Sequence, residues 1–592
     1  MVKIEIIDFV NDAIHGIVGL TSIEKELIQT KEMRRLKGIK QLSFGQVKYP
    51  SATHTRYSHS IGTLAVTTKY LNWLIINARS YRDVISSNLQ IMRIAALLHD
   101  VGHSAFSHSI EQAINENTLW YGSKVDHEDF TKEIILGKSE VNKVLMKSFN
   151  KKDINKIAAI ATGNYYEIEP DIKFLVDILT GDFGSDRVDY LLRDSHHAGL
   201  SYGKIEFEQL VSKLCINNVG DENRLCIKYD ESRVGLYAAT ALELARYYHF
   251  SSLVFQPEIR CLNLLLKSII EKYVQEIKGD KITEIRNFFL EYDDSILLSK
   301  VESFQFKDGK KVKALLDDIK DYSCANFDFR YEHIDELLPT LGFMLYLIKQ
   351  DSDTFKKFRS EIEDEVRKQY RIKDNQTLIF DLQINGKSGL PVEMYKDTDN
   401  SKSVLLQDKS PLLERLSQSL VSLGSVAIYS SMRLKGKINF NELLYQRAIK
   451  YVNLARKNKK VFSEEYLLRS INKIMIIAEE IELYKTCATD FKGIVPSLSR
   501  LNDLILKDVN NPYKDFRQKP FTYSKKLYRD LMVLAGFSLI NIIFKPVAMG
   551  KDGPIGNPEE HIKFINSIVR RYDFYVTSKG LKYLNIINKP GV

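Results

Sequence analysis

Residues 3–20 alternate apolar and polar positions around Asn11-Asp12, a period of two that predicts a small β-hairpin. From about Ser22 to Ile348 apolar positions recur at helical spacing, as over Leu64 to Ile76, Leu89 to Leu98, Asp186 to Asp194 and Leu236 to Val274. Between Leu378 and Leu406 the pattern turns strand-like: Leu378 to Ile384, the tight-turn dipeptide Asn385-Gly386, then Val404-Leu405-Leu406. A small inserted sheet is expected there. Past about Lys435 helical periodicity returns, broken late by the polar loop Lys551 to Pro558. The most apolar stretch, Leu531 to Phe544, is too short to span a bilayer and reads as a buried helix. The expected class is mainly α, with an N-terminal β-hairpin, a small inserted sheet and a C-terminal helical region. The domains expected are 1–432 and 433–592, the second of unknown role.

Apolar residues make up 44% and charged residues 27% of the 592, enough for a sizeable core and two domains. The net charge of +9 permits a polyanionic ligand without requiring one. A basic run, Arg456-Lys457 with Lys459-Lys460, reads as a solvated helix end. The five cysteines are scattered, with no CxxC pair, which points to a reducing compartment and away from disulfides or a cysteine zinc site. The first residues lack a signal-peptide layout, so the cytoplasm is the expected location and no membrane is expected.

Histidine placement carries the first chemical signal. Of twelve histidines, ten fall before residue 250. Helix packing gives no reason for this clustering, whereas metal binding and acid–base work do. The pair His99-Asp100 ends the apolar run Ile94 to Leu98 and precedes Val101-Gly102-His103. A divalent ion accepts imidazole nitrogen and carboxylate oxygen together, and Gly102 would let the backbone turn so that both face one ion; the dipeptide alone reads equally as a plain polar helix terminus. On a helix, Asp186, Tyr190 and Asp194 share one face, about 6 Å apart along the axis. Spacing alone leaves two readings of that face open: a functional groove, or an exposed acidic stripe with Tyr190 packed.

The order His59, His99-Asp100, Asp186 resembles the HD superfamily of metal-dependent phosphohydrolases. The likeness is greatest to the deoxynucleoside triphosphate (dNTP) triphosphohydrolases, which include the SAM-and-HD-domain enzyme of animals and bacterial relatives. The matching strings are Asn11 to Gly16, Arg35 to Leu42, Arg56 to Gly62, His99 to His108, His127-Glu128 and Asp186 to His197. The resemblance is strong over roughly 3–270 and fainter to about 430, and it places the core of the HD domain at about 45–270.

The resemblance implies that His59, His99, Asp100 and Asp186 hold a divalent metal ion, whether iron, manganese, zinc or magnesium. It implies acid–base work for His108 and His127, oriented by Glu111 and Glu128, with His103 on the α-phosphate. Arg56, Arg187 and Arg246 match phosphate-binding positions, Tyr190 and Asp194 those facing the sugar 3′-hydroxyl, and Gln41 and Leu42 those near the sugar. Arg193, His196 and His197 read as structural. The implied reaction is hydrolysis of a dNTP to deoxynucleoside and triphosphate.

The sequence departs from the family at an activator site between subunits. Gln29, Arg34 and Lys37 stand where Asp, Gln and Arg are expected. Asp8-Phe9 replaces a Lys-Val pair, and Cys215 and Pro257 replace basic residues. A nucleotide activator is therefore not expected to be dGTP. Val254 replaces a tyrosine that closes over the sugar, which weakens strict selection for deoxyribose. A homo-oligomer, dimer or tetramer, is expected, and the C-terminal region leaves room for a protein partner. The competing readings are a phosphodiesterase acting on an oligonucleotide or signalling nucleotide, and a nucleotide sensor or scaffold in a multi-protein system such as phage defence.

Overall fold

The computed structural model describes residues 4–320, apart from 117–120, 123 and 220–221, parts of 326–451, and three short strands beyond. The chain divides into two units, Met1–Ala325 and Asn326–Val592. The first ends ahead of the boundary expected at 432, because the inserted strands belong to the second unit.

The first unit opens with the expected hairpin, β1 (Asp8–Asp12) against β2 (Gly16–Leu20), antiparallel with Asp12 opposite Gly16. Gly16 takes a left-handed φ of 71°, which a side chain would resist. Helices follow: α1 (Arg56–Asn77), α2 (Arg82–Leu98), α3 (His108–Asn115), α4 (His127–Leu136), α5 (Lys151–Ala161), α6 (Phe174–Thr180) and α7 (Ser185–Ala198). A second hairpin, Leu214–Val219 with Glu222–Tyr229, precedes α8 (Val234–His249) and α9 (Pro257–Glu276). The helical period read without a break from Leu236 to Val274 is interrupted by a π-turn at Phe250–Val254 and restarted by Pro257, which sits where a missing N–H costs nothing.

Helix α1 packs against both α2 and α7. Its start is fixed by Thr55, whose hydroxyl accepts from Ser58 N while the Ser58 hydroxyl accepts from Thr55 N. Helix α2 buries every residue from Ile91 to Leu98, and Leu97 and Leu98 are fully enclosed. Each such leucine contributes about 1.5–3 kcal/mol of transfer free energy. Between α1 and α7, Gly62 lies so close to the Asp189 and Arg193 side chains that a β-carbon there would overlap the carboxylate and the guanidinium. Helix α7 ends at Gly199, left-handed at φ 67°, as a C-terminal glycine cap requires.

In the second unit, Leu423–Ser430 is the central strand, antiparallel to both Asn326–His333 and Leu378–Ile384. Val404-Leu405 sits apart from that sheet, in the strand Ser403–Leu405 opposite Glu393–Lys396. Asn385 and Gly386 lie outside the described residues. Helix Ser352–Tyr370 places Phe358 against Phe380. Farther on, Ile540–Phe544 and Ile494–Val495 flank Tyr572–Val576 in an antiparallel sheet. The end of the Leu531 to Phe544 stretch is thus a strand, in keeping with its three β-branched isoleucines. The loop Lys551 to Pro558 and most of 433–592 lie outside the described residues. Among the described residues no helix is long and apolar enough to cross a membrane.

Candidate metal centre and active site

Four side chains from three elements meet. His59 lies in the first turn of α1, His99 caps α2 with Asp100 next to it, and Asp186 lies in the first turn of α7. His59 Nε2 is 3.0 Å from Asp186 Oδ1, 3.2 Å from His99 Nε2 and 3.8 Å from Asp100 Oδ2. His99 Nε2 is 3.4 Å from Asp100 Oδ1 and 3.6 Å from Asp186 Oδ1. Donors held about 2.1 Å from one ion stand about 3.0–3.4 Å apart, so this spacing suits a shared divalent cation.

The far side of each imidazole supports the same fit. His99 Nδ1 is 2.9 Å from the Ala96 carbonyl, which can only accept, so that nitrogen carries the proton and Nε2 keeps its lone pair. His59 Nδ1 faces Asp189 Oδ2 at 2.7 Å. Burial alone would lower the His59 pKa, but Asp186 and Asp189 accept from the ring and hold it up at about 10. Asp100 and Asp186 are held well below the usual carboxylate range despite their burial, Asp100 by His99 and Arg56, Asp186 by His59 and His99. A negative field of this kind favours a divalent cation as it favours a proton. The residues can therefore hold a divalent metal, and ligand type does not choose which.

The turn that carries His99 and Asp100 is clamped from behind. Arg35 donates to the carbonyls of Val101, His103 and Tyr292 at 2.9, 2.7 and 3.0 Å. Gly102 is needed for close approach rather than for an unusual turn. Its φ is not positive, but a β-carbon would overlap the His127 carbonyl and the Thr131 amide of α4. Phe106 and Ser107 are both left-handed, at φ 51° and 52°, a strained pair just before α3.

Beside the four donors stand the imidazoles of His103, His108 and His127. Glu111 accepts from His108 Nδ1 at 2.9 Å and His127 Nδ1 at 3.0 Å. The second carboxylate on His127 is that of Asp126, 3.0 Å from the same nitrogen, while Glu128 is exposed on α4. Asp126 was not singled out by the sequence; its position just before a helix starting at His127 is the signal that marks it.

The arginines expected on phosphate are differently engaged. Arg56 donates to Asp100 Oδ2 at 2.5 Å and to Ser107 Oγ at 2.8 Å. Arg187 is bonded to Asp182 Oδ1 at 3.1 Å, and Arg246 makes one long contact, 3.4 Å, with Glu243. Tyr190 packs its ring 5.1 Å from that of His249, and burial pushes its pKa up. Asp194 is bonded to His54 at 2.8 Å, and His249 in turn accepts from Tyr202 at 2.9 Å. His54 and His249 went unassigned in the sequence because no periodicity links them to Asp194. Leu42 is half-buried beside Gln41. Buried polar atoms with no hydrogen-bond partner include Gln41 Oε1, His54 Nδ1, His103 Nδ1 and Arg246 Nε. Each such atom costs about 1–3 kcal/mol, which a polar ligand would recover.

Residues 56–175 match the family model described as HD domain. An uncharacterized protein of Methanocaldococcus jannaschii is 29% identical over 301 residues, covering 50% of this chain and 57% of that protein. The deoxynucleoside triphosphate triphosphohydrolase SAMHD1 homolog of Dictyostelium discoideum is 24% identical over 337 residues, 56% of this chain and 60% of that protein. The chain spans less than two thirds of the length of these curated relatives. A crystal structure of a hypothetical protein from Aquifex aeolicus superposes with a TM-score of 0.52 at 23% identity, over 75% of this chain and 99% of that one, and shows the fold alone. Residues 56–175 thus match an HD domain, and the chain is similar over part of its length to proteins named as SAMHD1 triphosphohydrolases.

Proposed function

We propose that this protein hydrolyses dNTPs to deoxynucleoside and triphosphate. The reading is carried by the convergence of His59, His99, Asp100 and Asp186 beside an acid–base cluster, with three arginines on the same helices or their neighbours. A bound divalent ion would supply Lewis acidity at the α-phosphorus and a more acidic attacking water. His127, held protonated by Asp126 and Glu111, donates a proton to the departing 5′-oxygen. His103, kept neutral by burial, supplies a donor to the α-phosphate. His108 is largely exposed and serves as the second candidate for the proton transfer. Arg187 and Arg246 meet a triphosphate of about four negative charges, and Arg56, bonded to Asp100, steadies the metal-binding carboxylate as well. Tyr190 and Asp194 face the 3′-hydroxyl, with Gln41 and Leu42 near the sugar.

The test is incubation of the purified protein with each dNTP and each divalent metal, alone and with a second nucleotide present. Tripolyphosphate and deoxynucleoside in equal amounts are expected. Release of only mono- or diphosphate would rule the reaction out. The engagement of Arg56 and Arg187 by carboxylates favours a second reading, cleavage of a phosphodiester, which needs fewer free cations. Loss of triphosphate cleavage but not diester cleavage in Arg246→Ala separates the two. Homo-oligomerisation and a nucleotide regulator other than dGTP belong to the same proposal.

A further inference from the structure

The inner face of His59 leads out of the site to the N-terminal hairpin. Asp189, fully buried on α7, receives four ring or guanidinium nitrogens. Its Oδ2 takes His59 Nδ1 at 2.7 Å and Arg193 Nε at 2.9 Å. Its Oδ1 takes His15 Nε2 at 2.6 Å and Arg193 Nη2 at 3.0 Å. Arg193 is itself buried and extends both terminal nitrogens to Asp12, at 2.8 and 3.1 Å. Asp12 Oδ1 also accepts from the backbone N–H groups of Ile14 and His15, both at 2.9 Å, so the carboxylate that holds Arg193 also shapes the turn carrying His15.

We infer that the β1–β2 turn is a latch on the metal centre: Asp12 and His15 are positioning residues that fix Asp189, and through it the orientation of His59. The inference rests on the metal-binding reading of His59. An ionised Asp189 can only accept, so it keeps the proton on His59 Nδ1 and aims the Nε2 lone pair at the ion. Arg193 alone does not fix the carboxylate, since it reaches Asp189 from one side along the same helix. His15 closes the opposite approach, and Asp12 anchors Arg193 from another element. The packing at Gly62 leaves no room for the pair to shift toward α1.

The experiment uses the full chain and cobalt(II) as the probe, bound to wild type, His15→Ala, Asp12→Asn and His15→Gln. Chelator competition gives the affinity, and the visible cobalt spectrum reports the ligand geometry without any substrate. Affinity 10–100-fold weaker and an altered spectrum are expected in the first two variants, the range for groups that orient a metal ligand. Partial recovery is expected in His15→Gln, whose amide N–H can reach the same oxygen. Asp12→Asn keeps the shape of the turn, so it remains informative where His15→Ala folds poorly. Unchanged affinity and spectrum in both variants, with wild type binding normally, overturn the latch alone. A wild-type protein that binds no cobalt overturns the metal reading and the latch together.

Discussion

The imidazoles of His103 and His127 stack with ring centroids 3.8 Å apart and 16° between planes, yet their surroundings drive them to opposite charge states. Burial, with the nearby positive charges of Arg56 and His127, pushes His103 well below the usual histidine range. Burial also works against charge on His127, but Asp126 and Glu111 accept from it and hold its pKa at about 10. A neutral and a charged ring in contact are the parts needed for a phosphate contact and a proton donor.

Glu111→Gln removes one of those two carboxylate charges. The protonated, donor-competent form of His127 exists below its pKa, so the alkaline limb of kcat is expected to move down from near 10. The rate should fall by about 10²-fold, the low end of a positioned acid's contribution. A pH–rate profile superposing on wild type would count against His127 as the acid.

His99→Ala and Asp186→Asn are expected to purify without the divalent ion that wild type retains, as read by elemental analysis. Hydrolysis should drop by more than about 10²-fold, exceeding what loss of an orienting group costs. Equal metal content in wild type and both variants would sink the assignment.

Asp294 is buried and accepts from Phe106 N at 2.7 Å and Lys40 N at 3.0 Å. Burial nevertheless raises its pKa to about 6, the two backbone donors offsetting only part of that cost. Unfolded, it titrates near about 3.9. Between those values the folded state keeps a proton that the unfolded state has released. Its stabilising contribution is therefore complete below about pH 4 and lost as pH rises through about 6. Urea unfolding of wild type against Asp294→Asn across pH 4 to 7 should show wild type losing stability relative to the variant, by an amount on the order of 2–3 kcal/mol. A pH-independent difference would refute this.

Gly102→Ala forces a methyl group into the α4 backbone at His127 and Thr131. Overpacking against backbone costs at least about 1–3 kcal/mol, so thermal melting should fall by several degrees. A variant melting with wild type would mean that the His99–His103 turn and α4 are less tightly joined than described.

The pair His99-Asp100 was legible as a polar end to an apolar run, whereas His59 and Asp186 entered the ligand set only through the family resemblance; their helix starts, after Thr55 and Gly184, are clear in the folded chain. The hairpin was legible from its period of two. What stayed hidden depends on contacts between elements far apart in the chain. Asp189 reads as one more acid on a polar helix until α1 and β1 are laid against it. Arg35, which reads as an ordinary basic helix residue, proves to hold three carbonyls. The pairing of Leu378–Ile384 was missed for a related reason: strand pattern shows which face is buried but does not name a partner 40 or so residues away.

Gly62 carries a consequence for coordination chemistry. His59 and Asp186 ride on the two helices whose separation is limited at that position, one helical turn from the histidine. A larger residue at Gly62 would press on the carboxylate behind His59, so the aim of that imidazole depends on a position with no side chain of its own.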